Sequence, residues 1–459
     1  MPGNGLRSIR VPMQRPGDTH PDPPEHDAEP ADAGPVSRPT SGADAIAEMA
    51  EQAGIRRIHV FAWRDLDDDE AGGSEVHADN IETIWAAAGL QVTHRTSASV
   101  GRSAEDLRNG YRVSRRGNRY LSFARSAAAQ LGGSLGSTDA VVEIWNGVPF
   151  MSPLWWSGPT AVWLHHVHGP MWQQSLPGPV APLGNLLEER LAPPFYRRVP
   201  VVTLSPSSKE ELVDELGFDA GHVTVIPPGI DPFFSPLDAS DPGASRSAAP
   251  LAVAVGRLTP VKDFSRLVRI MAAARQQVPD LELVIVGEGY LRSEIEQQIA
   301  EVGGQDWVRL PGRLSDEELR DLYRRAWIAT SASTREGWGM TLTEAAACGT
   351  PAVATDIAGH ADAVDRGRSG LLGTTDEELA ALVADVMGDP ELRSRLQRGA
   401  LARAAELTWE ACAVANFRVL ADDAVALRAA GSRRRMPKHP RGQAAGAPRR
   451  VGSDARRTP

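Results

Sequence analysis

The sequence predicts an α/β protein made of two doubly wound domains that face each other across a central cleft. Short β-rich runs alternate with helix-like segments along most of the chain. The alternation stops at one polar stretch rich in Pro, Gly and Ser and then restarts. Polar tails poor in large apolar residues flank the whole. Such alternation builds parallel sheets with helices on both faces, because a crossover between parallel strands is most readily made by a helix. The chain has 459 residues, enough for two or three domains of roughly 100–200 residues each.

Residues 1–53, dominated by Pro, Asp and Ala, are expected to be a disordered tail, since they cannot bury enough surface to offset chain entropy. The first domain is expected over 54–234. Its strands are IRRIHVFAW (55–63), LQVTHRT (90–96), AVVEIWN (140–146), AVWLHH (161–166), PVVTLS (200–205) and HVTVIPPGI (222–230). One helix follows Gly72-Gly73 and runs through EVHADNIETIWAAAG. Another begins at Ser208, where Ser208 and Glu211 have capping-box spacing and Gly217 is a stop. Residues 235–250, SPLDASDPGASRSAAP, read as a linker. The second domain, 251–408, has strands at LAVAVG (251–256), LELVIVG (281–287), WVRLPG (307–312), WIATSA (327–332) and PAVATD (351–356), with Ser315 and Glu318 capping the helix LRDLYRRA. A last amphipathic helix spans 409–430, and 431–459 is a basic tail expected to be disordered.

The formal charge of −10 is uneven. Residues 431–459 carry nine Arg/Lys against Asp454, about +8, which leaves about −18 for the rest. An acidic body does not suit a nucleic-acid-binding domain, so no nucleic-acid partner is expected. The tail could touch anionic lipid, which makes peripheral membrane contact the one membrane role to weigh. Two cysteines, Cys348 and Cys412, exclude a disulfide scaffold and a cysteine zinc cluster and fit a reducing compartment. No apolar leader opens the chain, and no run approaches the roughly 20 residues that span a bilayer. A cytoplasmic protein, with membrane association through the tail as the variant, is the expectation.

The densest motif is REGWGMTLTEAAACGTP, residues 335–351. Glu336 and Glu344 stand eight apart with Gly337 and Gly339 between them. A loop-to-helix transition near Gly339 explains the spacing. The glycines let backbone N–H groups approach a ligand, and the helix start at Met340 and Thr341 carries positive partial charge suited to phosphate. The two carboxylates can then hold different parts of one polyhydroxylated ligand. Arg257 follows a strand end and Lys262 lies five residues on, so a fork and a point charge can meet one phosphate pair. Gly287-Glu288-Gly289 lacks the third glycine of a dinucleotide fingerprint, because Arg292 stands there; a mononucleotide site is the better inference. Three histidines in LHHVHGPMW (164–172) come without the Cys or carboxylate spacing of a zinc site.

Residues 335–351 resemble the Glu-x7-Glu signature of the family 4 retaining glycosyltransferases, which have the GT-B fold of two Rossmann-like domains. Three further matches come in order: VIPPGIDPFF (225–234), VGRLTPVKDF (255–264, giving Gly256, Arg257 and Lys262) and VIVGEGYLR (284–292, giving Gly287). The resemblance covers about 55–425. It implies a nucleoside diphosphate sugar as donor, a hydroxylated acceptor, no cofactor and no metal. Arg257 and Lys262 would bind the donor diphosphate, Glu344 the ribose hydroxyls and Glu336 the sugar hydroxyls. Gly72-Gly73 would lie near the donor phosphates, and His165, with His166 close behind, would face the donor sugar. The implied reaction moves a hexose with retention by front-face attack, with no protein nucleophile. Ala332 and Trp338 depart from the residues common at those places and remove no catalytic group. Asp67 and Asp69 have the Asp-x-Asp spacing of metal-using transferases, but they precede Gly72-Gly73 in the first domain, and the acidic run 67–70 reads as a solvated loop. A nucleotide-sugar epimerase and a non-catalytic nucleotide-sugar-binding protein are the alternatives; a phosphorylase lacks a suitable lysine among Lys209, Lys262 and Lys438.

Overall fold

The computed structural model describes residues 41–68, 71–118, 121–165, 167, 181–237 and 245–431. Two sheets hold the chain together. The first contains β1 (Arg57–Phe61), β2 (Gln91–Thr96), β3 (Glu105–Arg108), β4 (Tyr111–Arg115), β5 (Ala140–Ile144), β6 (Thr160–Trp163), β7 (Val201–Thr203) and β8 (Val223–Val225), in the order β3-β4-β2-β1-β5-β6-β7-β8. The second contains β9 (Leu251–Val255), β10 (Glu282–Val286), β11 (Val308–Gly312), β12 (Ile328–Ser331), β13 (Ala352–Thr355) and β14 (Gly370–Gly373), in the order β11-β10-β9-β12-β13-β14. Neighbouring strands are parallel except for the β3–β4 hairpin. Every residue of β5 and β6 is buried. Helices cover both faces, so these strands are near-continuous apolar runs without alternation.

Chain direction across each sheet reverses around one strand. β1 lies between β2 and β5, and β9 lies between β10 and β12. Open parallel sheets bind ligands outside the carboxyl ends of strands at such a reversal. The loop after β1 leads to Gly72-Gly73, and the loop after β9 carries Gly256, Arg257 and Lys262. Both glycine-rich stretches singled out in the sequence thus stand at switch points.

Residues 41–53 do not continue the tail. They form the helix Gly42–Ala53, closed by a capping box between Ser41 and Asp44. Ile46, Ala50 and Ala53 are buried against the helix Trp409–Ala429. Four- and three-residue steps between them make a narrow helical stripe that the average composition of the tail conceals. The 409–429 helix itself packs on the helix Gly73–Ala87 and on β6, so after the second domain the chain returns to the first. The helix expected to begin at Ser208 spans Pro206–Asp214. Its cap is Ser205, whose hydroxyl accepts from the Ser208 amide, because Pro206 fits the first helical position. The acidic loop is not merely solvated: Asp65 bonds Arg108 and Arg115 at 3.1 and 3.0 Å, and Asp67 pairs with the same two arginines. Asp69 and Glu70, residues 1–40, the 432–459 tail and much of the linker lie outside the described residues. Among the described residues no helix is long and apolar enough to cross a membrane.

Candidate functional site

The second domain supplies the charged centre. Beyond β9, Lys262 ends a short helical turn and its Nζ lies 2.5 Å from Glu336 Oε1. Ser333 Oγ donates to the same oxygen at 2.8 Å. Burial pushes the Glu336 carboxyl up, but the Lys262 charge and hydrogen bond, with His360 and Ser333, outweigh it and hold the group below its ordinary value. His360 is buried behind this loop and accepts or donates at Thr355, and burial holds its ring low. Arg257 is exposed at the rim and has no ion pair among the described residues.

Gly287 and Gly256 are where two strand ends touch. A Cβ on Gly287, whose φ is +146°, would fall 1.9 Å from the Gly256 carbonyl oxygen. One on Gly289 would fall 2.4 Å from the Leu258 oxygen. The Gly-x-Gly pair is therefore first a close packing of two backbone loops. The helix that follows begins only at Arg292, which agrees with the absence of a dinucleotide fingerprint. The Lys262 stem runs across Gly256, its Cε 3.1 Å from where a Cβ would stand.

Gly339 caps the helix Met340–Ala347 without a side-chain hydrogen bond, and Gly337 is half-buried just before it. Glu344 sits one turn into that helix, Thr341 at its start. The Tyr323 hydroxyl donates to Glu344 Oε2 at 3.2 Å, and burial pushes the Glu344 carboxyl up to about 7. Glu344 is close enough to Lys262 to feel its charge. Across the cleft, a Cβ on Gly73 would lie 2.8 Å from Met340 Sδ. The N-termini of the 73–87 and 340–347 helices thus face each other. The 340–347 helix has no side-chain cap, whereas at the 73–87 helix the Glu75 carboxylate accepts from the Gly72 amide at 2.7 Å, so the end better suited to an anion is that of the 340–347 helix.

His165 lies two residues past β6 and is buried. Its ring meets that of His77 edge to face, with centroids 4.6 Å apart. Burial holds His77 down at about 3, so it is neutral; Trp163, Trp409 and Cys412 surround it. His166 lies outside the described residues.

Several groups here have no signal in local spacing. Arg335, next to Glu336, crosses to the first domain, donating to the Val167 carbonyl at 3.1 Å and pairing with Glu211. Ser207 bonds Asp362 through its amide at 3.1 Å and through its hydroxyl. Tyr323 and His77 likewise depend on contacts between elements distant in sequence, whereas Ser333 and His360 bond Glu336 and Thr355 a few residues away. The structure brings Lys262, Glu336, Glu344, Met340, Gly72 and Gly73 to one region of the cleft and leaves Arg257 at its edge. Such a site can hold a diphosphate between the start of the 340–347 helix and a lysine while carboxylates engage neighbouring hydroxyls.

Comparison with known proteins bears on the family and the fold. The model for "Glycosyl transferases group 1" matches residues 239–403, and that for "Glycosyltransferase Family 4" matches 71–233. Relatives include the D-inositol 3-phosphate glycosyltransferases of Stackebrandtia nassauensis, 35% identical over 46% of this chain and 51% of that one, and of Frankia alni, 32% identical over 50% and 60%. The chain thus spans little more than half the length of these relatives. Among solved structures, a sucrose-phosphate synthase from Thermosynechococcus elongatus aligns over 82% of this chain and 100% of its own, with TM-score 0.67 and 21% identity. The lipopolysaccharide glycosyltransferase WaaG aligns over 79% and 99%, with TM-score 0.63 and 16% identity. Anabaena HepE, solved with UDP and glucose, aligns over 81% and 100%, with TM-score 0.62 and 18% identity.

Proposed function

This chain belongs to the family 4 glycosyltransferases and has their GT-B fold, and from that premise we propose that it moves a hexosyl group from a nucleoside diphosphate sugar to an acceptor hydroxyl, with retention and without a metal. The observation that carries this reading is the Lys262–Glu336 pair set beside the uncapped N-terminus of the 340–347 helix, against which Gly73 of the first domain packs. In the reaction the C1–O bond to the diphosphate breaks, the acceptor oxygen bonds C1 on the same face, and the acceptor proton passes to the departing phosphate. Charge grows on that phosphate. Lys262, Arg257 and the helix ends at Gly73 and Met340 stabilise it. Drawing Lys262 toward the diphosphate frees Glu336 for the sugar hydroxyls, so donor binding and sugar orientation are linked through one ion pair. Glu344 takes the ribose hydroxyls and His165 faces the sugar. Neither carboxylate flanks the bond as acid and nucleophile, unlike a glycosidase pair.

The test is product analysis of the full chain with UDP- and GDP-hexoses and a panel of acceptors, with and without excess EDTA. The expected result is acceptor-dependent release of nucleoside diphosphate, an unchanged anomeric configuration and no loss with chelator. Conversion of the donor without an acceptor would identify an epimerase. Binding without turnover on every acceptor would identify a binding protein.

A further inference from the structure

The loops after β1 and β5 part at the switch point of the first sheet, and one side chain joins them there. Asn146 stands two residues past β5, half-buried at the carboxyl edge. Its Nδ2 donates to Ser74 Oγ at 3.3 Å, in the first turn of the helix Gly73–Ala87. Ser74 Oγ donates in turn to Glu75 Oε1 at 2.8 Å. The same carboxylate accepts from Arg64 Nε at 3.0 Å and from the Gly72 amide at 2.7 Å. A carboxylate paired with arginine only accepts, so the Ser74 proton is committed to Glu75, and toward Asn146 the Ser74 oxygen can only accept. That fixes which way the amide faces. Oδ1 is turned away from Ser74, and among the described residues it takes no hydrogen bond.

The turn that carries Asn146 is held at both ends. Asn146-Gly147, with φ of +85° at Gly147, is a turn pair, and a turn asparagine ordinarily bonds its own backbone two residues on. This one bonds another element instead. Trp145 Nε1 donates to the Gly147 carbonyl at 2.8 Å. Farther along the loop, the fully buried Glu143 carboxylate accepts from the Phe150 and Ser152 amides at 2.5 and 3.1 Å and from the Tyr196 hydroxyl at 2.7 Å. Ser74 adjoins Gly73, where a Cβ would stand 2.8 Å from Met340 Sδ, so Asn146 lies on the first domain's wall of the cleft, beside the start of the 340–347 helix. An amide oxygen fixed in orientation by its own N–H bond is a preorganised acceptor for a hydroxyl proton. It cannot serve the attacking hydroxyl, whose single proton goes to the departing phosphate. We propose that Asn146 Oδ1 accepts from a hydroxyl of the acceptor other than the one that attacks, with Ser74 as the residue that orients it. Such a bond fixes how the acceptor is turned and so aligns the attacking oxygen on C1. This rests on the reading that the chain is a glycosyltransferase with its acceptor on the first domain.

The test uses the full chain, UDP and GDP as nucleotide probes, the acceptor that product analysis finds fastest, and analogues of it in which one non-reacting hydroxyl at a time is replaced by hydrogen. With the wild type, one analogue should lose about tenfold in kcat/KM, the scale of one hydrogen bond. Asn146→Ala should lose about as much with the parent acceptor, bind UDP or GDP as the wild type does, and no longer distinguish that analogue from the parent. Ser74→Ala should fall in the same direction. Combining the two should cost no more than Asn146→Ala alone, because Ser74 acts through Asn146. Should Asn146→Ala fail to fold, Ser74→Ala carries the test, since it too should narrow the difference between parent and analogue. A folded Asn146→Ala protein that keeps the wild-type kcat/KM, or that still rejects the same analogue, overturns the assignment. So does a wild type indifferent to every analogue. Nucleotide affinity that weakens in step with acceptor use also overturns it, because the turn would then be shaping the donor site. Nucleotide binding with no transfer to any acceptor would instead sink the transferase reading.

Discussion

Glu344 shows how a site residue is held in a state that its ligand must change. Burial pushes its carboxyl up to about 7, against an ordinary carboxylate value, with the Tyr323 hydroxyl pulling weakly the other way. An acid raised in the folded state binds more protons there than in the unfolded chain, so its contribution to stability falls as pH rises from its ordinary value through about 7. Glu344→Gln should therefore melt above the wild type near pH 8 and close to it near pH 5. On the proposed role of Glu344, ribose hydroxyls would donate to the ionised form, so wild-type donor affinity should strengthen between about pH 6 and pH 8, and the variant should bind more weakly with a flat profile. An identical pH dependence in both proteins would remove Glu344 from the donor site. Lys262 acts in the opposite sense, since it holds Glu336 ionised. Lys262→Met should lower kcat with saturating donor by about 10²-fold, the usual scale for losing one group aimed at developing charge; a near-native kcat would refute that role.

Close approach of elements, more than any one side chain, shapes the second domain's ligand edge. Gly287→Ala would drive a Cβ to 1.9 Å from the Gly256 oxygen at a φ of +146°, where only backbone can yield. A loss of more than about 3 kcal/mol in denaturant unfolding is expected, against about 1 kcal/mol for Gly303→Ala, whose φ is +64° in open space. Equal losses would mean that the two loops part easily. Removing residues 1–53 should likewise cost stability that removing 1–40 does not, because only the longer deletion uncovers the 409–429 helix; matching melts would make the 42–53 helix dispensable. Legibility in the sequence follows the range of the contacts. The 335–351 motif was readable because its loop, helix start and two glutamates lie within one local transition. Strand-helix alternation likewise revealed both sheets. The β3–β4 hairpin carried an Asn109-Gly110 turn signal, with φ of +45° and +92°, but its exposed strand β3 has no apolar alternation to draw attention. β14 is four residues long with glycine at both ends. Arg335–Glu211 and Ser207–Asp362 join residues that only the finished fold brings together, so no spacing could announce them.

At the scale of the whole molecule, polar contacts among the described residues join the two domains, and one of them adjoins Glu336. Arg335 precedes Glu336 and reaches Glu211 and the Val167 carbonyl beside His165 in sequence. The contact thus ties the Glu336 loop of one domain to the segment after β6 in the other. Glu211 is partly desolvated there: burial pushes its carboxyl up, Arg335 pulls it down, and Glu215 and Glu188 push it up again, for a net rise. Arg335→Met deletes the downward influence of its charge and hydrogen bond and leaves the Glu211 carboxyl with two others of its own domain, Glu215 and Glu188. When protonated, Glu211 tolerates the closed arrangement. When ionised, it is only partly hydrated at the interface, and separation of the domains hydrates it more fully. Since the folded-state value lies above the ordinary one, closure in the variant should be present at low pH and lost as pH rises through the raised value. Small-angle scattering should therefore give a radius of gyration like the wild type's near pH 5 and a larger one near pH 8, with donor kcat/KM falling in parallel at the higher pH. The wild type, with Arg335 in place, should change little over the same range. A variant as compact as the wild type at both pH values would show that the Ser207–Asp362 contact and the 409–429 helix hold the domains together without Arg335.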